Sequence, residues 1–162
     1  LSPYVRTGMT ALDVGCAMGF FSLPMAEMVG PCGKVICVDV QPGMLGVLRR
    51  RAARMGLAER IETNESAGSA IGLQERDGSC DFALAFAMLH EVEDQAGLLQ
   101  EIHQLLKPGA TFLLAEPNKH VSREAFDRTV ALAQTQGFVV TGHPLIRLSH
   151  AAALIKPNIV GK

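Results

Sequence analysis

At 162 residues the chain has room for one domain, and a chain of this length buries roughly 68–70% of its unfolded surface without staples. Its 48% apolar and 19% charged residues exclude a disordered or fibrous chain. A net charge of −1 argues against a dedicated nucleic-acid binder, whose surface would be basic.

Short apolar runs alternate along the chain with stretches of helical period, the pattern of a parallel sheet covered on both faces. Thr10–Val14 predicts a first buried strand, and 20–29 a helix ended by Gly30-Pro31. Residues 34–40 predict a second strand ending in an acid. Pro42 suits the first turn of the next helix, where Met44, Leu48 and Met55 recur at helical spacing and Gly56 is the stop. A short third strand is expected over 60–63, then a polar connection with a turn at Asp77-Gly78. Cys80–Phe86 predicts the fourth strand. Asp94 can cap a helix whose apolar face is Leu98, Leu99, Ile102, Leu105 and Leu106, ended by Lys107-Pro108-Gly109. Residues 111–115 predict a fifth strand. Ser122 can cap a helix with Phe126, Val130 and Ala133 on one face and Gly137 as its stop. Segments 138–141 and 145–154 are extended and joined by a short turn, so they should pair antiparallel. The expected fold is α/β: a doubly wound, mostly parallel sheet with an antiparallel last strand.

The junction after the first strand reads Asp13-Val14-Gly15-Cys16-Ala17-Met18-Gly19-Phe20, with small residues in a G-x-A-x-G spacing. A nicotinamide or flavin fingerprint is G-x-G-x-x-G, and its last glycine would fall on Phe20. No G-K-[ST] is present, which excludes a Walker phosphate loop. Small side chains nevertheless let a ligand approach the backbone at the carboxyl end of a strand, where ligands bind in open α/β sheets. Asp39, 24 residues beyond Gly15, can accept hydrogen bonds from both hydroxyls of a ribose. A plain strand-to-helix turn would explain the glycines but not the acid at this separation.

The blocks ALDVGCAMG, VICVDVQPGML, CDFALAFAMLHEV and LLKPGATFLLAEP together resemble the core of class I S-adenosylmethionine-dependent methyltransferases. The resemblance is closest to the small-molecule branch that includes the ubiquinone and menaquinone biosynthesis-type enzymes. It runs from about residue 8 to the C-terminus. It implies a Rossmann-like methyltransferase fold, with S-adenosyl-L-methionine as cofactor and S-adenosyl-L-homocysteine as product. It places Asp13, Gly15, Ala17 and Gly19 around the methionine part of the cofactor and Asp39 on the ribose hydroxyls. Val40 and Met44 would pack on the adenine faces, Ser66 and Ala67 would lie at the adenine edge, and Phe86 would end the fourth strand beside the cofactor. By itself Met44 is equally well explained as helix core. Two positions depart from the family pattern: Ala17 replaces the usual middle glycine, and Ser66 replaces the usual Asp.

Of the five histidines, His103 has polar neighbours on an amphipathic helix and is expected at the surface. His143 precedes Pro144 in a turn, and His150 lies in the last strand. His90 and His120 follow strand carboxyl ends, where a substrate would sit, and Glu116 and Asn118 share the loop with His120. His90 is therefore the candidate base, and Glu116, Asn118 and His120 are the candidate acceptor-side residues. Turn chemistry around Pro117 is the alternative for Glu116 and Asn118. Arg49, Arg50, Arg51 and Arg54 spread around their helix as a solvated face. Cys16, Cys32, Cys37 and Cys80 form no CxxC pair and no ligand spacing, so reduced thiols, no metal and a cytoplasmic location are expected. No apolar run approaches the ~20 residues of a spanning helix.

The sulfonium of such a cofactor already activates its methyl group, so the implied enzyme chiefly holds a nucleophile in line, which can supply up to ~7–11 kcal/mol. An O–H or N–H acceptor also needs a base, whereas a carbon acid or enolised quinone precursor needs only positioning. The implied partner is a small-molecule acceptor, with a homodimer left open and neither nucleic acid nor membrane expected. Two other readings stand beside this one. The first is a nucleotide-dependent oxidoreductase on a similar scaffold, which the G-x-A-x-G spacing disfavours. The second is a non-catalytic S-adenosylmethionine-binding module. Residue 1 is Leu and only about eight residues precede the first strand, so a single domain lacking an N-terminal segment is expected.

Overall fold

The computed structural model describes residues 1–68 and 70–158. Its strands follow the apolar runs: β1 (Thr10–Val14), β2 (Lys34–Asp39), β3 (Ile61–Glu65), β4 (Cys80–Phe86), β5 (Leu106–Pro117), β6 (Val139–Gly142) and β7 (Ser149–Ile155). β1, β2 and β4 are buried on both faces, which explains why they read as continuous apolar runs rather than alternating ones. The helices are α1 (Ser22–Val29), α2 (Pro42–Arg54), α3 (Gln95–Leu105) and α4 (Arg123–Thr135). Asp94 Oδ1 accepts from the Gly97 amide at 2.9 Å and Ser122 Oγ from the Ala125 amide at 3.2 Å, so both expected N-caps form.

The sheet order is β3-β2-β1-β4-β5-β7-β6. β1 pairs parallel with β2 and β4, β2 with β3 and β4 with β5, while β7 runs antiparallel to β5 and β6. Alternate residues divide the core. Leu12, Ile36, Ala83 and Phe112 pack with Leu99 and Ile102 of α3 and Phe126 of α4. Ala11, Val35, Phe82 and Leu113 pack with Met25 and Val29 of α1 and Leu48 of α2. The chain reverses its direction of winding between β1 and β4, so the loops leaving these strands diverge and open a crevice at their carboxyl ends.

Four local expectations need correction. The buried stripe of α2 is Leu45, Leu48 and Ala52, with Met44 half-buried and Met55 49% exposed at the C-cap. Gly19 admits this stripe, because a Cβ there would collide with Leu48. β5 starts before Lys107-Pro108-Gly109: Leu106 already pairs with Cys80, the register then shifts, and Gly109 (φ +80°) donates to the Lys156 carbonyl at 2.7 Å. The last strand begins at Ser149 rather than near 145, since Leu145 is fully exposed and Leu148 turns the chain with φ +60°. His103 is half-buried rather than fully at the surface. Its ring stands edge-on to Phe138 at 4.9 Å, and its Nε2 is buried with no hydrogen-bond partner among the described residues.

Candidate functional site

The loops after β1, β2 and β4 and the segment after β3 enclose a cleft of about 790 Å³, whose walls include Gly15, Ala17, Asp39, Val40, Ser66 and Ala67. That volume suits a nucleoside-sized ligand. Gly15 adopts φ +72°, and a Cβ there would lie 2.8 Å from Met88, so only glycine fits under this side chain. Ala17 also lies in the left-handed region, at φ +45°, without glycine's freedom. Its amide donates to Asp39 Oδ2 at 2.8 Å, while the Gln41 amide donates to Oδ1 at 2.9 Å. Asp39 thus ties the loop after β1 to the start of α2. Each of its oxygens keeps a further acceptor site.

On the far wall, the Ser66 amide donates to the Asp39 carbonyl at 3.0 Å. The segment beyond it is clamped at Ile71, whose carbonyl accepts from Asn64 Nδ2 at 2.8 Å. Glu101 Oε2, on α3, accepts from the amides of Ile71 at 2.8 Å and Gly72 at 3.1 Å. Val40 stands half-exposed on the cleft wall.

The other expected cofactor-side residues lie outside the lining. Asp13 is buried two residues before Gly15, and Ser22 Oγ donates to its Oδ2 at 2.5 Å. Burial pushes the Asp13 carboxyl up to about 7, the Ser22 bond opposes this, and the Asp39 charge adds to it. Gly19 serves helix packing, and Met44 does not reach the cleft wall. Phe86 turns to the opposite sheet face, against Phe21 at 4.6 Å between ring centroids. Ala87 and Met88 take the expected place of Phe86 at the cleft. Ala87 does so with φ +57°, its amide held by the Ala115 carbonyl at 2.8 Å.

A second cavity of about 400 Å³ lies between the turn after β4, the end of β5 and α4, with His90, Glu116, His120, Arg128 and Thr129 in its lining. Three of the four acceptor-side candidates therefore meet. Glu116 is buried, at 2% exposure, and its Oε2 lies 2.6 Å from His90 Nδ1. Its Oε1 accepts from the amides of Leu89 at 2.8 Å and His90 at 3.3 Å. The rings of His90 and His120 are parallel within 2°, their centroids 6.4 Å apart. Asn118 is exposed and lies outside this lining, its amide bound to the Leu148 carbonyl at 3.0 Å. Glu91 lines the first cleft and His90, the residue before it, lines the second, so the two cavities adjoin at this turn.

All four thiols are free, with Cys16, Cys37 and Cys80 buried and Cys32 exposed. The neighbouring Cys37 thiol and burial hold the Cys16 thiol far above its ordinary range, and burial raises Cys80. Among the described residues, no group of three or more His, Cys, Asp or Glu side chains could hold a metal ion. No helix there is long and apolar enough to cross a membrane.

Residues 6–144 match a family model described as a methyltransferase domain. The chain belongs to this methyltransferase-domain family. Its cleft is therefore the methyltransferase domain's, and the oxidoreductase reading falls away. A demethylmenaquinone methyltransferase of Symbiobacterium thermophilum is 37% identical over 120 residues, covering 74% of this chain and 47% of that protein. The chain spans about half the length of the curated relatives it matches. A SAM-dependent methyltransferase from Aquifex aeolicus superposes with a TM-score of 0.83 at 24% identity, over 94% of this chain and 84% of that one. The [4+2]-cyclase SpnF superposes at 0.79 with 15% identity, over 94% and 77%. The same fold thus also carries a cyclase, so the fold by itself does not fix the acceptor chemistry.

Proposed function

We propose that this domain binds S-adenosyl-L-methionine in the 790 Å³ cleft and transfers its methyl group to a small-molecule acceptor held at the second cavity. The observation that carries this is Asp39. Asp39 lines the cleft at 8% exposure, its carboxylate is fixed by the amides of Ala17 and Gln41, and each oxygen keeps a further acceptor site. A ribose with two adjacent hydroxyls fits that donor-hungry pair, and the Gly15 cradle under Met88 leaves room for backbone approach. Val40 offers apolar surface to the base, with Ser66 and Ala67 at its edge.

When bound, this cofactor supplies a methyl group activated by its sulfonium. The protein's own work is to hold the acceptor in line and to exclude competing water. His90 is the candidate base, with Glu116 and His120 beside it. The demethylmenaquinone methyltransferase relatives make quinone precursors one arm of the acceptor panel, beside phenols and amines whose O–H or N–H would call on His90. Calorimetry tests the first half of the proposal: S-adenosyl-L-homocysteine should bind with one-to-one stoichiometry and NAD should give no comparable heat. Equal binding of NAD, or no heat from S-adenosyl-L-homocysteine, overturns the reading. Transfer of labelled methyl to a panel of quinone precursors, phenols and amines then identifies the acceptor.

A further inference from the structure

We infer that Glu116 is a positioning residue that fixes the tautomer of His90, and that the acceptor of the second cavity carries an ionisable O–H or N–H. This rests on the methyl-transfer reading above for the donor. It adds the chemistry demanded of the acceptor.

The argument begins with a buried carboxylate. Glu116 sits at the end of β5, beside the exit of β4, at 2% exposure. Its Oε1 is held by two backbone amides, of Leu89 and His90, whatever the state of the His90 ring. The second oxygen is thereby aimed at Nδ1, 2.6 Å away. A carboxylate only accepts, so Nδ1 carries the hydrogen and Nε2 keeps its lone pair. A carboxylate spent on anchoring backbone alone would not need an imidazole on its second oxygen.

The ring that Glu116 orients lines the 400 Å³ cavity and is 27% exposed, so a ligand there can reach it. The other charged groups facing the ring are Glu91 and Arg128, with His120 parallel to it. Glu91 Oε1 lies 3.8 Å from Nε2, beyond hydrogen-bond range, and is 78% exposed. Arg128 joins the cavity lining from α4. Nothing else within hydrogen-bond reach uses Nε2 among the described residues.

The step this geometry serves is a proton transfer. The acceptor's O–H or N–H bond breaks, its electron pair stays on the heteroatom as the nucleophile, and the proton bonds to Nε2. The resulting imidazolium is paired with Glu116 and flanked by Glu91. After the methylated product leaves, the proton passes to water. A carbon nucleophile that needs no deprotonation would leave this dyad without a purpose.

Glu116→Gln is the decisive variant. Its amide oxygen still accepts from the two backbone amides, so the turn is preserved. Its amide nitrogen donates, which reverses the bond to Nδ1 and drives the ring hydrogen to Nε2. With ¹⁵N-labelled histidine, NMR should show Nδ1 protonated and Nε2 free in the wild-type protein, and the opposite tautomer in E116Q. A second measurement uses 4-nitrophenol with S-adenosyl-L-homocysteine present, read by phenolate absorbance. The bound probe should be ionised by the wild-type protein, with the ionised fraction falling about tenfold in E116Q and in His90→Gln. An Nε2–H tautomer in the wild type, an unchanged tautomer in E116Q, or a probe that fails to bind or ionises equally in all three proteins overturns the inference. The methyl-donor reading is judged separately by S-adenosyl-L-homocysteine calorimetry. If that binding fails, the tautomer of the free protein still decides the role of Glu116.

Discussion

Removing the Asp39 carboxylate separates the two jobs assigned to it. In the free protein it accepts the Ala17 and Gln41 amides at 2.8 and 2.9 Å, and in the complex it would also accept two ribose hydroxyls. Ala17 and Gln41 are exposed residues, so water can replace the lost carboxylate at their amides. The cost to the free fold in Asp39→Ala is therefore that of about one charge-assisted bond, ~1.5–3 kcal/mol, rather than two. The ribose hydroxyls lose both acceptors and meet a loosened loop. Affinity for S-adenosyl-L-homocysteine should fall by a further ~1.5–3 kcal/mol, about 10–150-fold. Asp39→Asn keeps one acceptor oxygen and should lie between wild type and Ala in both properties. Calorimetric titration of the three proteins, with urea unfolding at matched pH, measures the two effects independently. An affinity in Asp39→Ala within twofold of wild type would remove Asp39 from the site and with it the placement of the nucleoside.

Glu101→Ala should weaken S-adenosyl-L-homocysteine about 3- to 30-fold by freeing the amides of Ile71 and Gly72, and calorimetry should show Glu101→Gln recovering most of the loss. The Asp13 carboxyl titrates near 7 in the fold against 3.8 in the unfolded chain, so the folded state holds the extra proton between these values. Stability contributed by protonated Asp13 is full below about 4 and is lost as pH rises through about 7, at up to about 1.4 kcal/mol per unit. Asp13→Asn should therefore gain stability over wild type at pH 8 and none at pH 4, and an equal difference in denaturant unfolding at both would refute this. His103→Leu should raise stability by about 1 kcal/mol, because it removes the unpaired buried Nε2 that faces Gly137. Burial lowers the His103 pKa from 6.5, so the wild-type protein loses stability as pH falls below 6.5 while the Leu variant does not follow, which thermal melts at pH 7.5 and 5.5 will show.

The parts of the fold that were legible are those where one physical pattern dominates. Thr10–Val14 and Cys80–Phe86 came out with their exact bounds because strands buried on both faces must be continuously apolar. The caps at Asp94 and Ser122 were legible because a cap is a local hydrogen bond. Phe86 was misplaced for a related reason. In a strand that is apolar on both faces, hydrophobicity does not say which face a residue takes, and period-2 alternation turned Phe86 toward Phe21. The start of β5 was hidden because Pro108 and Gly109 read as a stop, whereas the chain carries them as an irregularity next to the Leu106–Cys80 pair.

The site divides along the same line. Gly15, Ala17 and Asp39 are one strand apart and carry a spacing, so the sequence shows them as a set. Ala87 carries no signal at all, since nothing in an alanine announces φ +57°. Glu101 reaches Ile71 across 30 positions, and a carboxylate on an amphipathic helix looks solvated until the loop is seen beneath it. His90 and Glu116 were each marked by standing just past a strand end, 26 residues apart, with nothing to join them. Their contact comes from register. Phe86 pairs with Ala115, the Ala87 amide then takes the Ala115 carbonyl, and the next residue of β5, Glu116, arrives beside the turn that leaves β4. A one-residue slip between β4 and β5 would point the Glu116 side chain to the other face of the sheet and separate the dyad. The buried carboxylate is thus positioned by the same parallel pairing that builds the core, which is why the chemistry becomes visible only once the sheet is assembled.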